Sequence, residues 1–293
     1  ATVNFIIYEA AGGGGADITS GTISNNTFNY CGEVTDWSTH AKSAAICVMA
    51  KGTDESISGV TVSGNTLNNC NGYGINLKGY GSSLTVVADV TNNTLTNCFT
   101  PIELTDYCGS SATSTCSVTG NTISRAYAEA IRVTGNYNYP LTIKNNTITN
   151  TAAIYSRNCA IAVDENPTSG THYVQYNDIR NTDNGTGYAI YIGSTDTVTL
   201  STIDCRYNYF GNASGPTYTA VTGATVTKSN PNGTGEKITD RCFYYPWLYK
   251  PLTDVVADNA SYQACTMKLV SGWNTLSTPV KLISAADAID ELI

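Results

Sequence analysis

The sequence predicts an all-β protein, a parallel β-helix (solenoid) with about three short strands in each turn. A four-residue phrase returns along the chain at intervals of 25 to 39 residues. It reads Asn25-Asn26-Thr27-Phe28 in its first copy and Asn145-Asn146-Thr147-Ile148 in a later one. The second asparagine of the successive copies is Asn26, Asn65, Asn93, Asn121, Asn146, Asn177 and Asn208. A period of this length is typical of solenoids.

The residues between the asparagines alternate as they do in strands. Each repeat contains two apolar residues around one central residue, as in Ile75-Asn76-Leu77, Ile102-Glu103-Leu104 and Ile131-Arg132-Val133. This alternation predicts strands whose flanking residues point inward. The residue three positions before each later asparagine is also apolar or cysteine: Val62, Val90, Val118, Ile143, Val174 and Cys205. Stacked turns then bury one continuous core that no single turn could bury alone.

The repeated asparagine allows two interpretations. At a sharp corner its side chain can bond the nearby backbone and the same amide in adjacent turns, which forms an inward ladder. Alternatively, it occupies an ordinary surface turn because asparagine tolerates left-handed geometry. An apolar residue follows two positions later in each copy, as Phe28 follows Asn26. This spacing favours the inward ladder.

These repeats resemble those of the right-handed parallel β-helix family of secreted proteins. The family includes the periplasmic copper-delivery accessory protein and many archaeal and bacterial surface proteins, and the resemblance covers residues 18–252. It implies a right-handed helix but is a poor guide to activity. Residues 208–216, 230–235 and 245–248 are similar to the segment that closes such surface β-helices with aromatic and Pro/Gly loops. The usual tryptophans in its first part are replaced here by Tyr209 and Phe210.

Three segments follow from this organisation. Residues 1–17 form a strand-prone arm and a glycine linker, 18–252 the β-helix with its closing segment, and 253–293 a C-terminal extension. The arm either caps the open end of its own helix, which we favour, or pairs with a neighbouring subunit. In the extension, residues 267–280 resemble the opening of a small β domain of surface proteins, and 284–293 predict a short helix, as if a domain were truncated.

Composition restricts the environment and the partners. The chain has 293 residues, 41% of them hydrophobic and only 13% charged, which predicts a polar β protein and not a disordered one. The net charge of −8 and the lack of a basic stripe argue against nucleic acid. No apolar stretch has the length of a membrane span. The sequence also lacks a signal-peptide pattern, which predicts a processed chain or a fragment.

Ten cysteines indicate an oxidising, extracellular or cell-surface location. We predict disulfides between Cys108 and Cys116, around a Gly/Ser/Thr loop, and between Cys242 and Cys265, around the closing segment. A second group, Cys31, Cys70 and Cys98, lies five positions after ladder asparagines and is expected to stack at one corner, as buried hydrophobes or with two of them bridged. Cys205 is assigned to the core, and Cys47 and Cys159 are not assigned. We predict no metal site and no cofactor.

Surface residues suggest contacts with glycans. Tyrosine is common, and Tyr107, Tyr137, Tyr139 and Tyr155 lie in loops where they can stack on sugars or anchor protein contacts, although they can equally cover the flanks of the solenoid. Glycosylation motifs begin at Asn25, Asn92, Asn145, Asn184, Asn212, Asn232 and Asn259. Asn184 and Asn232 lie in glycine-containing loops and are the better acceptors.

Catalytic groups are sparse. Glu103 and Arg132 occupy equivalent outward positions one turn apart, with Glu129 near them, and a surface ion pair is the favoured interpretation. The histidines, His40 and His172, have no cysteine or histidine at ligand spacing.

We therefore expect a non-catalytic extracellular structural protein that self-associates in a cell-surface assembly such as a filament, sheath or surface layer. A carbohydrate-binding β-helix or adhesin is the first alternative. A polysaccharide lyase or hydrolase that uses Glu103 and Arg132 is the second.

Overall fold

The computed structural model describes residues 6–13, 17–31, 44–53, 56–82, 85–105, 116–134, 141–152, 159–163, 172–182, 187–193, 203–220, 226 and 228–255. By its internal contacts the chain divides into the units Ala1–Val255 and Val256–Ile293. The second unit, with the predicted C-terminal domain and helix, lies outside the described residues.

Three parallel sheets form the described structure, and the chain visits them in the same order in each turn. Sheet A contains β1 (Ile6–Gly13), β5 (Ile46–Thr53), β8 (Tyr73–Ser82), β11 (Thr100–Thr105), β14 (Ile131–Thr134), β17 (Cys159–Val163), β20 (Tyr188–Ile192), β23 (Gly235–Ile238) and β22 (Pro216–Thr217), in that spatial order. Sheet B contains β2 (Asp17–Ile18), β6 (Ser56–Ser63), β9 (Thr85–Thr91), β12 (Cys116–Thr119), β15 (Leu141–Lys144), β18 (Tyr173–Gln175), β21 (Ile203–Asp204) and β24 (Cys242–Phe243), with β3 (Gly21–Ser24) also paired on β6. Sheet C contains β4 (Thr27–Asn29), β7 (Thr66–Asn68), β10 (Thr94–Thr96), β13 (Thr122–Ser124), β16 (Thr147–Thr149) and β19 (Asp178–Arg180). One helical turn occupies 252–255. The predicted all-β parallel solenoid with three strands per turn is confirmed.

The sequence repeats stack in exact register in sheet C. Its central column is buried and consists of Phe28, Leu67, Leu95, Ile123, Ile148 and Ile179. Burying one such side chain contributes roughly 1.5–3 kcal/mol. The apolar positions before the asparagines form a second buried column, along sheet B. Its residues have no exposed surface: Val62, Val90, Val118, Ile143, Val174 and Cys205. The core is thus continuous along the axis, as predicted.

Left-handed residues close both ends of the three-residue strands of sheet C. Before the strands, Asn25, Gly64, Asn92, Gly120, Asn145 and Tyr176 have φ between 55° and 68°. After the strands, Tyr30, Asn69, Asn97, Arg125, Asn150 and Asn181 have φ between 55° and 57°. Both interpretations of the Asn-Asn phrase therefore apply, at adjacent positions. The first asparagine makes the left-handed corner, and the second turns inward.

The N-terminal arm belongs to the solenoid of its own chain. Strand β1 pairs with β5 in parallel from Ile6 opposite Ile46 to Gly13 opposite Thr53. Residues 6–13 therefore agree with the favoured interpretation, in which the arm caps the end of its own helix, because they add a first strand to sheet A.

The opposite end is covered by the closing segment. Phe210 and Tyr244 are fully buried against the last turns, and Trp247 stacks on Tyr244 with ring centroids 6.1 Å apart. The indole nitrogen of Trp247 donates to Ala213 O at 3.2 Å. Phe210 thus provides the buried aromatic surface expected at this position.

Candidate functional site

The asparagine ladder is the most regular polar feature of the molecule. The Nδ2 of each ladder asparagine donates to the Oδ1 of the next one at 2.9–3.0 Å. The same Oδ1 also accepts the backbone N–H of the preceding ladder residue. From Asn65 onward, Nδ2 makes a second bond to a backbone carbonyl of the preceding turn, as Asn93 does to Val62 O at 2.9 Å. Asn65 to Asn208 are buried, so the predicted inward ladder is confirmed.

The two ends of the ladder differ. Asn208 is closed off: its Nδ2 donates to Val174 O and Cys205 O, and its carbonyl accepts from Leu248 N at 3.0 Å. Asn26 lies at the other end and is half-buried. Its Oδ1 is the equivalent of the oxygen that accepts two bonds in each later turn. Within the described part of the chain, this oxygen has no donor.

A polar cluster lies on the outer face of sheet A, where Asn76, Glu103 and Arg132 share one column. Asn76 Nδ2 donates to Glu103 Oε2 at 3.0 Å, and Arg132 Nη1 lies 3.6 Å from Glu103 Oε1. Glu103 and the nearby Glu129 are only 3% and 2% exposed. The expected surface ion pair is therefore wrong in one respect: the carboxylate is buried, while the Arg132 side chain stays 30% exposed. Strand alternation reveals that a residue points outward, but it does not reveal what covers that face.

Burial dominates the electrostatics of this cluster. It raises the pKa of Glu103, although Arg132 and a hydrogen bond from Tyr73 act in the opposite direction. It also raises the pKa of Tyr73, with the Glu103 carboxylate adding to the effect. A carboxyl group with a raised pKa can act as a general acid when substrate reaches it. Glu103 and Glu129 expose almost no surface, so a substrate would first have to displace protein.

Two further carboxylates on the outer faces are each paired with an arginine two residues later. Arg180 Nη2 lies 2.8 Å from Asp178 Oδ2, and Arg206 Nη2 lies 2.7 Å from Asp204 Oδ2. Although burial alone would raise it, the hydrogen bonds from Arg206 and Gln175 hold the pKa of Asp204 below its usual value. For Asp178 burial prevails over Arg180, and the pKa is raised. These acids are thus engaged within the chain.

The cysteines divide into groups that the sequence partly predicted. Cys31, Cys70 and Cys98 are buried at one corner, and the pKa of Cys70 is raised by its contact with Cys98, by burial, and by the charge of Cys98. Cys205 is buried in the core, where its thiol contacts that of Cys242. Sequence reasoning did not find this contact. The sequence did contain a signal for it, because Cys205 occupies a position of the sheet B column that is usually valine.

The two predicted disulfides stay predictions. Cys116 is buried with its sulfur 3.4 Å from Val86 O, and Cys242 is a buried thiol. Their predicted partners, Cys108 and Cys265, lie outside the described residues. Among the residues that are described, no three Cys, His, Asp or Glu side chains converge in a way that could hold a metal ion.

The tyrosines chosen as binding residues, Tyr107, Tyr137, Tyr139 and Tyr155, lie outside the described residues, as do Asn184 and His40. Asn232 is exposed, as its loop position predicted. His172 is buried, and its Nδ1 accepts the backbone N–H of Leu141 at 3.2 Å.

An open groove of about 360 Å³ lies near the closing segment. Tyr188, Thr217, Lys237 and Asp240 are among its lining residues. It combines an aromatic ring with hydroxyl, ammonium and carboxylate groups. The sequence did not indicate it, because its walls come from β20, β22 and β23, which are far apart in the chain.

Comparisons with known proteins give no match to this chain, whether with family models, with curated proteins or with solved structures. Among the described residues, no helix has the length and apolar character needed to cross a membrane.

Proposed function

We propose that this chain is a non-catalytic extracellular structural protein, a rigid subunit of a cell-surface assembly. The observation that carries the proposal is the asparagine ladder, which runs from Asn26 to Asn208 with each rung bonded to the next. Buried amides that satisfy each other fix the rotation and spacing of successive turns. A rod with fixed turns transmits force and spacing, which is what a filament, sheath or surface layer requires.

The charge distribution supports the same proposal. Glu103, Asp178 and Asp204 are each paired with an arginine inside the chain. Carboxylates held in this way are poorly placed to attack a substrate. The ten cysteines and the low charged fraction of 13% support an extracellular location.

Electron microscopy of the protein in its native extracellular fraction tests this proposal. Regular polymers with a repeat near the length of one solenoid, or of two where the subunits associate in pairs, would support it. At about 4.8 Å per turn and about eight turns, this length is roughly 40 Å. Dispersed single rods at native concentration would argue against it.

A second candidate, glycan binding, is favoured by the groove at Tyr188. Sugars are recognised by aromatic rings that stack on their apolar faces and by polar groups that bond their hydroxyls. A glycan array with the wild type, Tyr188→Ala and Lys237→Ala tests it. Binding that both variants lose, and that Tyr249→Ala keeps because this exposed tyrosine does not line the groove, would support this function. Binding that instead depends on Tyr137 and Tyr139 would place the site in the loops.

Glycosylation is part of the same proposal of a surface protein. Asn232 is exposed, and so are the motif asparagines Asn25, Asn92, Asn145 and Asn212. Intact-mass and peptide analysis of the native protein would identify the modified positions. A native mass equal to the sequence mass of 31.0 kDa would exclude glycosylation.

A further inference from the structure

Among the described residues, sheet C ends at its N-terminal side in an edge that no strand pairs with. In the described chain β4 pairs only with β7, on one side. Thr66 N donates to Asn26 O at 2.8 Å, and Tyr30 N donates to Asn68 O at 2.9 Å. Backbone groups alternate in direction along a strand, so those of Thr27 and Asn29 point away from β7. In later turns the equivalent N–H groups are bonded, as Thr94 N is to Asn65 O.

The side chains at this edge agree with the backbone. Asn26 Oδ1 also faces away from β7. The equivalent oxygen one turn later, Asn65 Oδ1, accepts two hydrogen bonds from Asn26, whereas Asn26 Oδ1 accepts none from the described residues. Tyr30, directly after β4, is 72% exposed, the largest value among the exposed large apolar residues of the described chain. An edge with open donors and acceptors beside an exposed aromatic residue is a template for pairing with another strand.

At the opposite end of sheet C, the described residues leave no comparable open edge. Beyond β19, Ile179 N donates to Tyr209 O at 2.9 Å, and Leu248 N donates to Asn208 O at 3.0 Å. Trp247 and Tyr244 cover this end. A head-to-tail stack would need both ends open, so this closing segment blocks it.

We propose that two copies of this chain join head to head through β4, related by a two-fold axis that sets the two strands antiparallel. A two-fold axis makes a surface its own partner, so the surface must be self-complementary. This edge is self-complementary, because Thr27 and Asn29 each offer one N–H and one C=O. Thr27 of one copy pairs with Asn29 of the other and vice versa, which gives about four backbone hydrogen bonds. Tyr30 then covers the end of the partner strand.

A longer strand adds to this contact. Strand β1 is the outermost strand of sheet A at the same end of the stack. It spans eight residues, against three in β4. A head-to-head dimer thus brings the edges of both sheets into the contact, and the dimer becomes the unit of the surface assembly. This inference rests on the proposed structural function and specifies its first contact.

Sedimentation velocity over a range of concentrations tests the dimer. The wild type is expected to reach twice the chain mass of 31.0 kDa. Thr27→Pro removes an edge-facing N–H and leaves the bonds to β7, so it should weaken association at least tenfold while the circular dichroism spectrum is unchanged. Amide exchange at Thr27 and Asn29 should slow in the wild type as the dimer forms.

A matched pair of variants covers the case in which the proline disturbs the fold. Thr27 and Thr94 share one column and are both exposed. Thr27→Lys places two like charges near the two-fold axis and should weaken the dimer, whereas Thr94→Lys should not. A monomeric wild type, or equal association of these two variants, overturns the proposal. If polymers still appear by microscopy while all variants associate equally, this contact fails and the structural function stands. If neither polymers nor dimers appear, both fail.

Discussion

Asn93 and Asn121 are joined by two bonds to a single oxygen. Asn93 Nδ2 donates to Asn121 Oδ1 at 3.0 Å, and Asn93 N donates to the same oxygen at 2.9 Å. The backbone of one turn is thereby fixed by a side chain of the next. Repeated from Asn26 to Asn208, this relationship sets the register of the whole stack.

Asn93→Ala should therefore be strongly destabilising. It removes the Nδ2 bonds to Asn121 Oδ1 and Val62 O, and it leaves Asn65 N and Nδ2 buried without their acceptor. An unsatisfied buried polar group costs about 1–3 kcal/mol, so we expect a loss of about 3 kcal/mol or more in the free energy of unfolding by urea. The neighbouring Asn92→Gly is the control, because Asn92 is exposed at φ 55°. A loss at Asn93 no larger than at Asn92 would contradict the ladder's role.

Gly120 is required by the corner residue one turn before it. A Cβ at Gly120 would overlap Asn92 Oδ1, and φ is +68° there. Gly120→Ala should destabilise by roughly 1–2 kcal/mol from the left-handed backbone, with the overlap adding to this. Adding Asn92→Gly should restore the part caused by the overlap. Additive effects in this double-mutant cycle would show that the two residues do not interact.

Glu103→Gln should change the pH dependence of stability. The folded pKa of Glu103 lies above its unfolded value of 4.5, so the folded state binds the proton more tightly. Its contribution is fully present below pH 4.5 and is lost as the pH rises through the folded pKa. The variant should thus gain stability relative to the wild type between pH 4 and pH 7, as measured by urea unfolding at each pH.

Asp204→Asn is the control of opposite sign. The pKa of Asp204 is lowered in the folded state, so its contribution is present above pH 3.8 and lost as the pH falls through the folded pKa. The two variants should show opposite slopes against the wild type. A constant difference at Glu103 would contradict its burial. Turnover of an acidic polysaccharide that Glu103→Gln abolishes would instead support the enzymatic alternative.

Cys31, Cys70 and Cys98 should resist thiol reagents in the native protein. Thiolates are the reactive form, and for Cys70 the contact with Cys98 and burial raise the pKa. We expect labelling of these three only after unfolding, with peptide mapping as the measurement. Unfolding without reductant also separates the two interpretations of the stack, since a bridge leaves two of the three unlabelled. Rapid labelling of the native protein would contradict their burial.

The repeated four-residue phrase is the part of the sequence from which most of the fold can be predicted. The columns of Leu67, Leu95 and Ile123 could be predicted because each residue repeats at the same place relative to an asparagine. The burial of Glu103 could not be predicted, because strand alternation shows in which direction a side chain points but not which residues cover it. The contact between Cys205 and Cys242 could not be predicted either, because the closing segment brings together residues outside the repeat.

The repeated sequence pattern is enough to predict the solenoid, its three strands per turn and its inward ladder. These follow from local periodicity, because each turn repeats one pattern and packs only on its neighbours. Only the folded chain shows that three acids on the outer faces are paired with arginines and that β1 is the first strand of sheet A. It also shows that, among the described residues, Asn26 Oδ1 has no donor whereas Asn208 is bonded on both sides. Such properties depend on which segments meet across many turns, and no short stretch of sequence encodes that meeting.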